Sequence, residues 1–243
     1  MHRYLTALCL MSVLLLMTAL AIGFVQNPAS ASERAEAAAT RVLPALTRDL
    51  DALDAGPGQP VFLRIFKRES ELELWVQPRA QGELKLFRTY PICAWSGRLG
   101  PKTREGDRQA PEGIYSIRRG QLNPRSQFHL SFNLGYPNAY ERAQGWTGSA
   151  LMVHGACVSI GCYAMTDPAI EEIYTLVDAA LRAGQSAVPV HALPFRMDHS
   201  SNNEDGGAHT ELWTSLAEID ADFEQRRQMP RVAVSAAGYR LLD

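Results

Sequence analysis

The sequence predicts an α+β domain in which β-strands predominate. Between positions 61 and 92, short apolar runs of strand-like composition are separated by turn-forming residues. In one run, Leu72, Leu74 and Val76 alternate with polar residues, which is the pattern of a sheet with one buried face. Longer segments with apolar residues at helical spacing precede and follow these strands. We therefore expect a mainly β domain with helices at its periphery.

Residues 1–31 are typical of a signal peptide or an N-terminal anchor. Arg3 is the positive flank, the run from Leu5 to Val25 is apolar and uncharged, and small residues at 29–31 resemble a cleavage site. The apolar run is also long enough to span a bilayer without cleavage. Both alternatives predict export of the remaining chain to the periplasm or cell envelope, with membrane contact only through this segment if it is retained.

A leading helix follows, over Ser32–Ala55 within a unit at 32–58. Its helical apolar spacing is interrupted by Pro44, and the helix is predicted to end at the GPG of residues 56–58. The main domain then covers residues 59–243. Its first predicted strands are Val61–Phe66, Glu71–Val76 and Glu83–Ile92, and a long loop of Gly, Pro and charged residues covers 96–113.

The second half of the main domain alternates strands with helices. One predicted strand ends at Val153. Asp167 is then predicted as the N-cap of a helix over Pro168–Ala183, because proline is favoured at the first helical position. A second amphipathic helix is predicted over Glu211–Arg227, and a last strand over Arg231–Val234.

Charge and cysteine content limit the functional classes. With 24 Lys and Arg against 26 Asp and Glu, the net charge is -2, and no basic run is long enough to follow a phosphate backbone. Nucleic acid is therefore excluded as a partner. Beyond residue 31 the cysteines are Cys93, Cys157 and Cys162, an odd number that leaves at least one unpaired thiol in an oxidising compartment. We interpret Cys93 as a buried small residue.

The stretch HGACVSIGCYAM, from His154 to Met165, concentrates the reactive side chains. A catalytic cysteine attacks as a thiolate, and backbone N–H groups beside it hold the oxygen of the tetrahedral intermediate. Here His154 would be the base that keeps Cys162 ionised. Gly161 would leave the backbone beside the sulfur open to a substrate carbonyl.

Other interpretations of this stretch stay open. In a purely structural interpretation, both cysteines are buried small residues and His154 is a hydrogen-bonded core histidine. Alternatively, Cys157 and Cys162 form a disulfide, or all three side chains bind zinc, although their spacing lacks the paired CxxC pattern. A serine nucleophile at Ser159 is disfavoured, because Cys157 stands where a G-x-S-x-G elbow requires its first glycine.

The order HG followed by S-x-G-C resembles the catalytic signature of the L,D-transpeptidases, the YkuD-type cysteine enzymes of bacterial peptidoglycan. Two further stretches, ICAWSGRLGPKTREGDRQAPEGIY and LNPRSQFHLSFNLGYPNAY, resemble the YafK-like branch of this family. The likeness extends from about Val61 onward. It implies an L,D-transpeptidase-like curled β-sandwich with peripheral helices and no metal or organic cofactor. The implied partners are peptidoglycan stem peptides, with a wall-linked lipoprotein as the alternative partner.

The resemblance also implies roles for single residues. Cys162 is similar to the nucleophile, His154 to the general base, and Gly155 to the position whose carbonyl orients the imidazole. The N–H groups near Gly161 and Cys162 would form the oxyanion hole. The candidate substrate contacts are Ser159, His129, Asn133, Tyr136, Asn138 and Arg98. Lys102 and Arg104 lie in the same loop as Arg98, and these cations would meet a substrate carboxylate.

Three departures from the family pattern leave the outcome of the reaction open. The gap between HG and S-x-G-C is short, Ile160 replaces a second histidine, and Ala164 replaces an arginine. Attack on the thioester by an amine would give L,D-transpeptidation, whereas attack by water would give hydrolysis and release of a wall-linked lipoprotein. The rival from another class is a non-catalytic envelope protein that binds peptidoglycan.

Overall fold

The computed structural model describes residues 31–197 and 209–242. The predicted signal peptide or anchor lies outside the described residues up to position 30, and it remains a prediction. In the two described ranges, no helix combines the length and the apolar character needed to cross a membrane.

The described ranges contain eleven strands and four α-helices, so the predicted α+β class is confirmed. The strands are β1 (Val61–Phe66), β2 (Glu71–Val76), β3 (Lys85–Pro91), β4 (Gly113–Ile117), β5 (Leu122–Asn123), β6 (Ser131–Asn133), β7 (Met152–His154), β8 (Tyr163–Ala164), β9 (Val188–Leu193), β10 (Val232–Ser235) and β11 (Gly238–Leu241). The helices are α1 (Ala31–Asp51), α2 (Ala139–Ala143), α3 (Asp167–Arg182) and α4 (Thr210–Arg226).

A five-stranded sheet forms the scaffold, with the strand order β3-β2-β1-β9-β4. Only β1 and β9 pair in parallel, from Leu63 opposite Val190 to Phe66 opposite Leu193. All six residues of β1 are buried, because this strand is central and both of its faces are covered. The sequence predicts the bounds of β1 and β2 correctly. It does not predict β9, in which Pro189 disfavours an interior strand.

A smaller sheet carries the reactive stretch, with the order β5-β6-β7-β8. Its strands are two or three residues long, and β7 pairs with β8 in parallel. On the other edge of β8, Ala94 forms an antiparallel bridge with Ala164. The segment that follows β3 therefore extends this sheet, and it brings Cys93 to the reactive stretch.

Three details differ from the predictions. Helix α1 is continuous through Pro44 and ends at Asp51, before the predicted end. Thr166 is the N-cap of α3, because its hydroxyl accepts the N–H of Ala169, and Asp167 is the first helical residue. A hairpin of β10 and β11 follows α4, where the sequence predicts one strand.

Helix α3 packs one face into the core. Nine of its residues are buried, and its apolar side chains belong to a core cluster that also contains residues of α1 and of both sheets. Helix α4 packs on the five-stranded sheet, where it is tied by Arg64, which is 1% exposed. The Arg64 guanidinium donates to Glu73 at 3.1 Å and to Asp220 at 2.6 Å, which compensates the cost of burying its charge.

A buried ion pair orders the long loop at 96–113. Lys67 and Glu112 are both 0% exposed, and their charged atoms lie 3.0 Å apart. The Lys67 Nζ also donates to the carbonyls of Gly100 and Ala110 at 2.9 and 2.8 Å. Because a buried ammonium is costly unless its donors are satisfied, these bonds fix both ends of the loop.

Candidate active site

The predicted base and nucleophile lie on neighbouring parallel strands. His154 is the last residue of β7, Cys162 immediately precedes β8, and the register pairs Val153 with Tyr163. Extended by one residue, this register places Cys162 beside Met152, on the same face as His154. Strand spacing of about 4.8 Å and a rise of about 3.3 Å per residue separate the Cα atoms of His154 and Cys162 by roughly 8 Å. Both residues line one cavity of about 820 Å³.

The connection between these two strands is short for a parallel pair. It comprises residues 155–162, whereas parallel strands are usually joined by a dozen or more residues. Ala156 and Cys157 accordingly adopt left-handed conformations, with φ of +67° and +51°. Gly161 has a φ of +145°, which favours glycine at this position. The loop therefore stores strain beside the reactive thiol.

His154 is held as a neutral imidazole. Its Nδ1 lies 2.6 Å from the Gly155 carbonyl oxygen, and because a carbonyl only accepts, Nδ1 is the donor and Nε2 retains its lone pair. Burial lowers the pKa of His154, and the Gly155 carbonyl opposes this shift. At neutral pH the ring is thus a free base.

Phe128 covers this imidazole. The two ring centroids lie 4.7 Å apart with a tilt of 32°, and Phe128 also lines the cavity although 42% of its surface is exposed. Sequence reasoning missed this residue. Its only signal is an aromatic residue in the QFHL stretch next to the candidate contact His129.

Gly155 leaves no space for a side chain. An added Cβ would lie 2.5 Å from the Asp167 Oδ1 and 3.1 Å from atoms of His129 and Ile170. The Gly155 N–H donates to the Phe128 carbonyl at 3.0 Å. The backbone that carries the orienting carbonyl is therefore held by close packing around its Cα atom and by a hydrogen bond.

Cys162 carries the free thiol among the described cysteines. Burial raises its pKa, and this effect is opposed by the N–H of Met152 and by the charge of Lys102. The resting pair is therefore a neutral thiol and a neutral imidazole, and not the ionised thiolate predicted from the sequence. The thiol donates a weak hydrogen bond to the Ala150 carbonyl oxygen, at 3.7 Å.

Ser159 shapes the turn that precedes the thiol. Its hydroxyl donates to the Cys162 carbonyl at 2.7 Å and accepts the Gly161 N–H at 3.1 Å. Of the two predicted oxyanion donors, Gly161 is thus already engaged. None of the residues at 31–197 or 209–242 accepts the backbone N–H of Cys162, which stays available to a substrate oxygen.

A disulfide joins Cys93 to Cys157, across 64 residues. Cys93 is exposed, so its interpretation as a buried small residue is wrong. The alternative disulfide between Cys157 and Cys162 is also wrong. The zinc hypothesis loses its Cys157 ligand, and the described residues contain no cluster of three metal-binding side chains.

The predicted substrate contacts fall into three groups. Ser159 lines the main cavity, while Asn133 and Tyr136 line a second cavity of about 630 Å³ that shares Ala150 and Met152 with it. His129 lies outside both cavities.

His129 and Asn138 have partners within the protein. His129 pairs with Glu171 at 2.8 Å. Asn138 caps α2 and donates to the Ile114 carbonyl and to the hydroxyl of Tyr239. These hydrogen bonds give both side chains structural roles.

The charged residues of the loop at 96–113 differ in whether they line a cavity. Arg98 is exposed and lies outside both cavities. Lys102 lines the main cavity, but its ammonium already pairs with Asp107 at 2.5 Å and donates to the Arg104 carbonyl. The free cations of this cavity are Arg108 and Arg125, since the described residues give neither side chain a hydrogen bond or ion pair.

The rim of the main cavity is apolar. Ile160 is 80% exposed and Val158 is 54% exposed, and both line the cavity together with Phe128. Ile160 therefore presents a hydrocarbon surface where the family pattern has a second histidine. Ala164 is 0% exposed and pairs with His154 in the sheet.

Comparisons with known proteins agree on one family. Residues 72–191 match the model of YkuD, the L,D-transpeptidase catalytic domain. A protein of Escherichia coli K12 named "Putative L,D-transpeptidase YafK" is 45% identical over 183 residues, which cover 75% of this chain and 74% of that protein. The protein of the same name from Escherichia coli O157:H7 has the same identity and coverage.

Solved structures give weaker similarities. The helical cell shape determining protein Pgp2 of Campylobacter jejuni, in its K307A form, aligns with a TM-score of 0.46 and 20% identity, over 68% of this chain and 58% of that one. Bd1075 of Bdellovibrio bacteriovorus aligns with a TM-score of 0.40 and 21% identity, over 69% of this chain and 61% of that one.

Proposed function

We propose that this chain, which belongs to the YkuD-type L,D-transpeptidase family, is a periplasmic cysteine acyl-transfer enzyme of peptidoglycan. The observation that carries the proposal is the shared cavity of Cys162 and His154, in which the imidazole is neutral and its Nε2 has no hydrogen bond to the described residues. A neutral base beside a neutral thiol is the state required for general-base activation of the nucleophile. Family membership supplies the substrate class, a peptidoglycan stem peptide.

In the proposed first step, the Cys162 sulfur attacks the carbonyl of meso-diaminopimelate. The Nε2 of His154 takes the thiol proton, and the Cys162 N–H donates to the developing oxyanion. The carbon–nitrogen bond then breaks, and the imidazolium returns the proton to the departing amine. A thioester on Cys162 and a free amine result.

In the second step, the thioester is resolved by an amine or by water. An amine from another stem gives L,D-transpeptidation, and water gives hydrolysis. Hydrolysis is the second candidate. The exposed Ile160 offers no hydrogen bond with which to hold a second stem as acceptor, whereas water enters an open cavity without a binding site of its own. An amidase of this kind would release a wall-linked lipoprotein.

The experiment that tests the proposal is product analysis by mass spectrometry. The purified protein is incubated with muropeptides and with lipoprotein-linked peptidoglycan, in parallel with Cys162→Ala. Cross-linked products identify a transpeptidase, and shortened stems or released lipoprotein identify a hydrolase. Equal product formation by Cys162→Ala would refute the thioester mechanism. Wall binding without any product from the unaltered protein would favour the non-catalytic envelope protein.

Thiol labelling supplies the matched control. A carbapenem should add its mass to the unaltered protein and to the double variant Cys93→Ala, Cys157→Ala, which keeps only the candidate nucleophile among the described cysteines. Cys162→Ala should stay unlabelled. Labelling that survives in Cys162→Ala would place the reactive thiol elsewhere.

A further inference from the structure

We propose that α1 is part of the catalytic apparatus and that Arg34 is a positioning residue for His154. This inference rests on the proposed function of His154 as the base. The helix begins at Ala31, and the region that matches the catalytic-domain model begins only at residue 72. The connection between α1 and the site runs through the loop at 126–129, which carries Phe128.

The first link is a pair of hydrogen bonds from one guanidinium nitrogen. The Nη1 of Arg34 donates to the carbonyl of Ser126 at 2.8 Å and to that of His129 at 2.9 Å. These carbonyls flank Phe128, so Arg34 closes the loop around it. Hydrogen bonds to a charged donor are stronger than neutral ones, and two of them fix the orientation of the loop.

The second link holds His129 in an unfavourable conformation. His129 has a φ of +67°, which is costly for a residue with a side chain. Its Nε2 pairs with Glu171 at 2.8 Å, and the same carboxylate accepts two hydrogen bonds from Arg41 of α1. A second arginine of α1 thus supports the end of the loop that Arg34 holds.

The third link reaches the base. The Phe128 ring covers the His154 imidazole, and the Phe128 carbonyl accepts the N–H of Gly155. Gly155 in turn accepts the His154 Nδ1 proton. If the loop moves, the imidazole loses both its aromatic cover and the support of its orienting carbonyl, and water gains access to it.

The test compares Arg34→Ala with Arg48→Ala in the full chain. Arg48 lies on the same helix, and its exposed guanidinium pairs only with the adjacent Asp49 among the described residues. We expect Arg34→Ala to lower kcat/KM roughly tenfold to a hundredfold, because small displacements of a catalytic group have effects of this size. Arg48→Ala should match the unaltered protein, and Arg34→Lys should recover part of the lost activity.

The pH dependence separates positioning from a loss of folded protein. Burial now lowers the pKa of His154, so exposing the ring should move its titration midpoint upward, and the acid limb of kcat/KM should follow. The other titratable and charged groups of the cavity are Lys102, Glu105, Arg108, Arg125 and Cys162, which all three variants retain. Phe128→Ala should raise the midpoint in the same way.

The midpoint is read by NMR from the His154 ring protons, assigned with His154→Gln, and this measurement needs no substrate. If the unaltered protein shows no acyl transfer, the proposed function fails. The titration still tests whether Arg34 and the loop at 126–129 position His154. An unmoved midpoint in Arg34→Ala would overturn the inference, whether its activity is unchanged or falls only in proportion to the folded fraction.

Discussion

The five-stranded sheet and the four-stranded sheet use their residues differently. In the first, β1 and β2 are six residues long, and every β1 side chain is buried. In the second, strands of two or three residues alternate with loops, and the connection between β7 and β8 has two non-glycine residues at positive φ. Long, buried strands contribute stability, whereas short strands between constrained loops hold reactive groups in fixed positions.

The largest expected effect concerns the smaller sheet. His154→Gln removes the base while an amide can still donate to the Gly155 carbonyl, so kcat/KM should fall by about 10² to 10⁴. The free energy of unfolding should change by less than about 1 kcal/mol. Initial rates and urea unfolding measure the two quantities. If His154→Gln unfolded at a much lower urea concentration, this side chain of the smaller sheet would contribute to stability as well as to activity.

The converse change lies in the larger sheet. Leu63 is 0% exposed in β1, and Leu63→Ala should lower the free energy of unfolding by about 2–5 kcal/mol, because it removes buried methyl groups and leaves a cavity. The kcat/KM of the folded fraction should remain unchanged.

Leu86→Ala is the matched control, because Leu86 belongs to the same sheet but is 40% exposed. We expect it to change stability by less than about 0.5 kcal/mol. If Leu63→Ala lowered kcat/KM while the protein remained fully folded, the larger sheet would contribute to activity as well as to stability, which contradicts the proposed difference between the two sheets.

The smallest of the three effects concerns the link between the regions. The Cys93–Cys157 disulfide joins the segment after β3 to the reactive loop. Its removal in Cys93→Ala, Cys157→Ala should cost about 2–4 kcal/mol of stability. Thermal unfolding with and without reductant measures this cost: reductant should destabilise Cys162→Ala but leave the double variant unaffected. If Cys162→Ala without reductant and the double variant unfolded at the same temperature, the loop would be held without the disulfide.

The regular elements could be predicted from the sequence because their signals are local. The bounds of β1 and β2 follow from apolar runs, and α3 and α4 each begin and end within one residue of the prediction. The sequence does not predict the hairpin partner β11, because its four residues, Gly238–Leu241, are too few for their alternation to be distinctive and begin with a glycine. The sequence predicts Asp167 as the N-cap because it directly precedes Pro168, but the hydroxyl of Thr166 fills that position.

The chemistry of the site was only partly predictable, because it depends on contacts between distant residues. A local motif is enough to identify Cys162 and His154 as candidates, and the structure brings both to one cavity. Nothing in the sequence pairs Cys157 with Cys93, since the bridge between Ala94 and Ala164 creates that proximity. The protonation state of Cys162 depends on burial, which a motif does not encode.

The short parallel connection between β7 and β8 has a consequence for how this protein can vary. Both proposed reactive groups and the turn that separates them occupy one contiguous stretch, so their spacing does not depend on the lengths of other loops. Insertions or deletions elsewhere can reshape the entrance without pulling the pair apart. Substitutions in those other loops can therefore alter what enters the cavity while the spacing of the proposed reactive pair is kept.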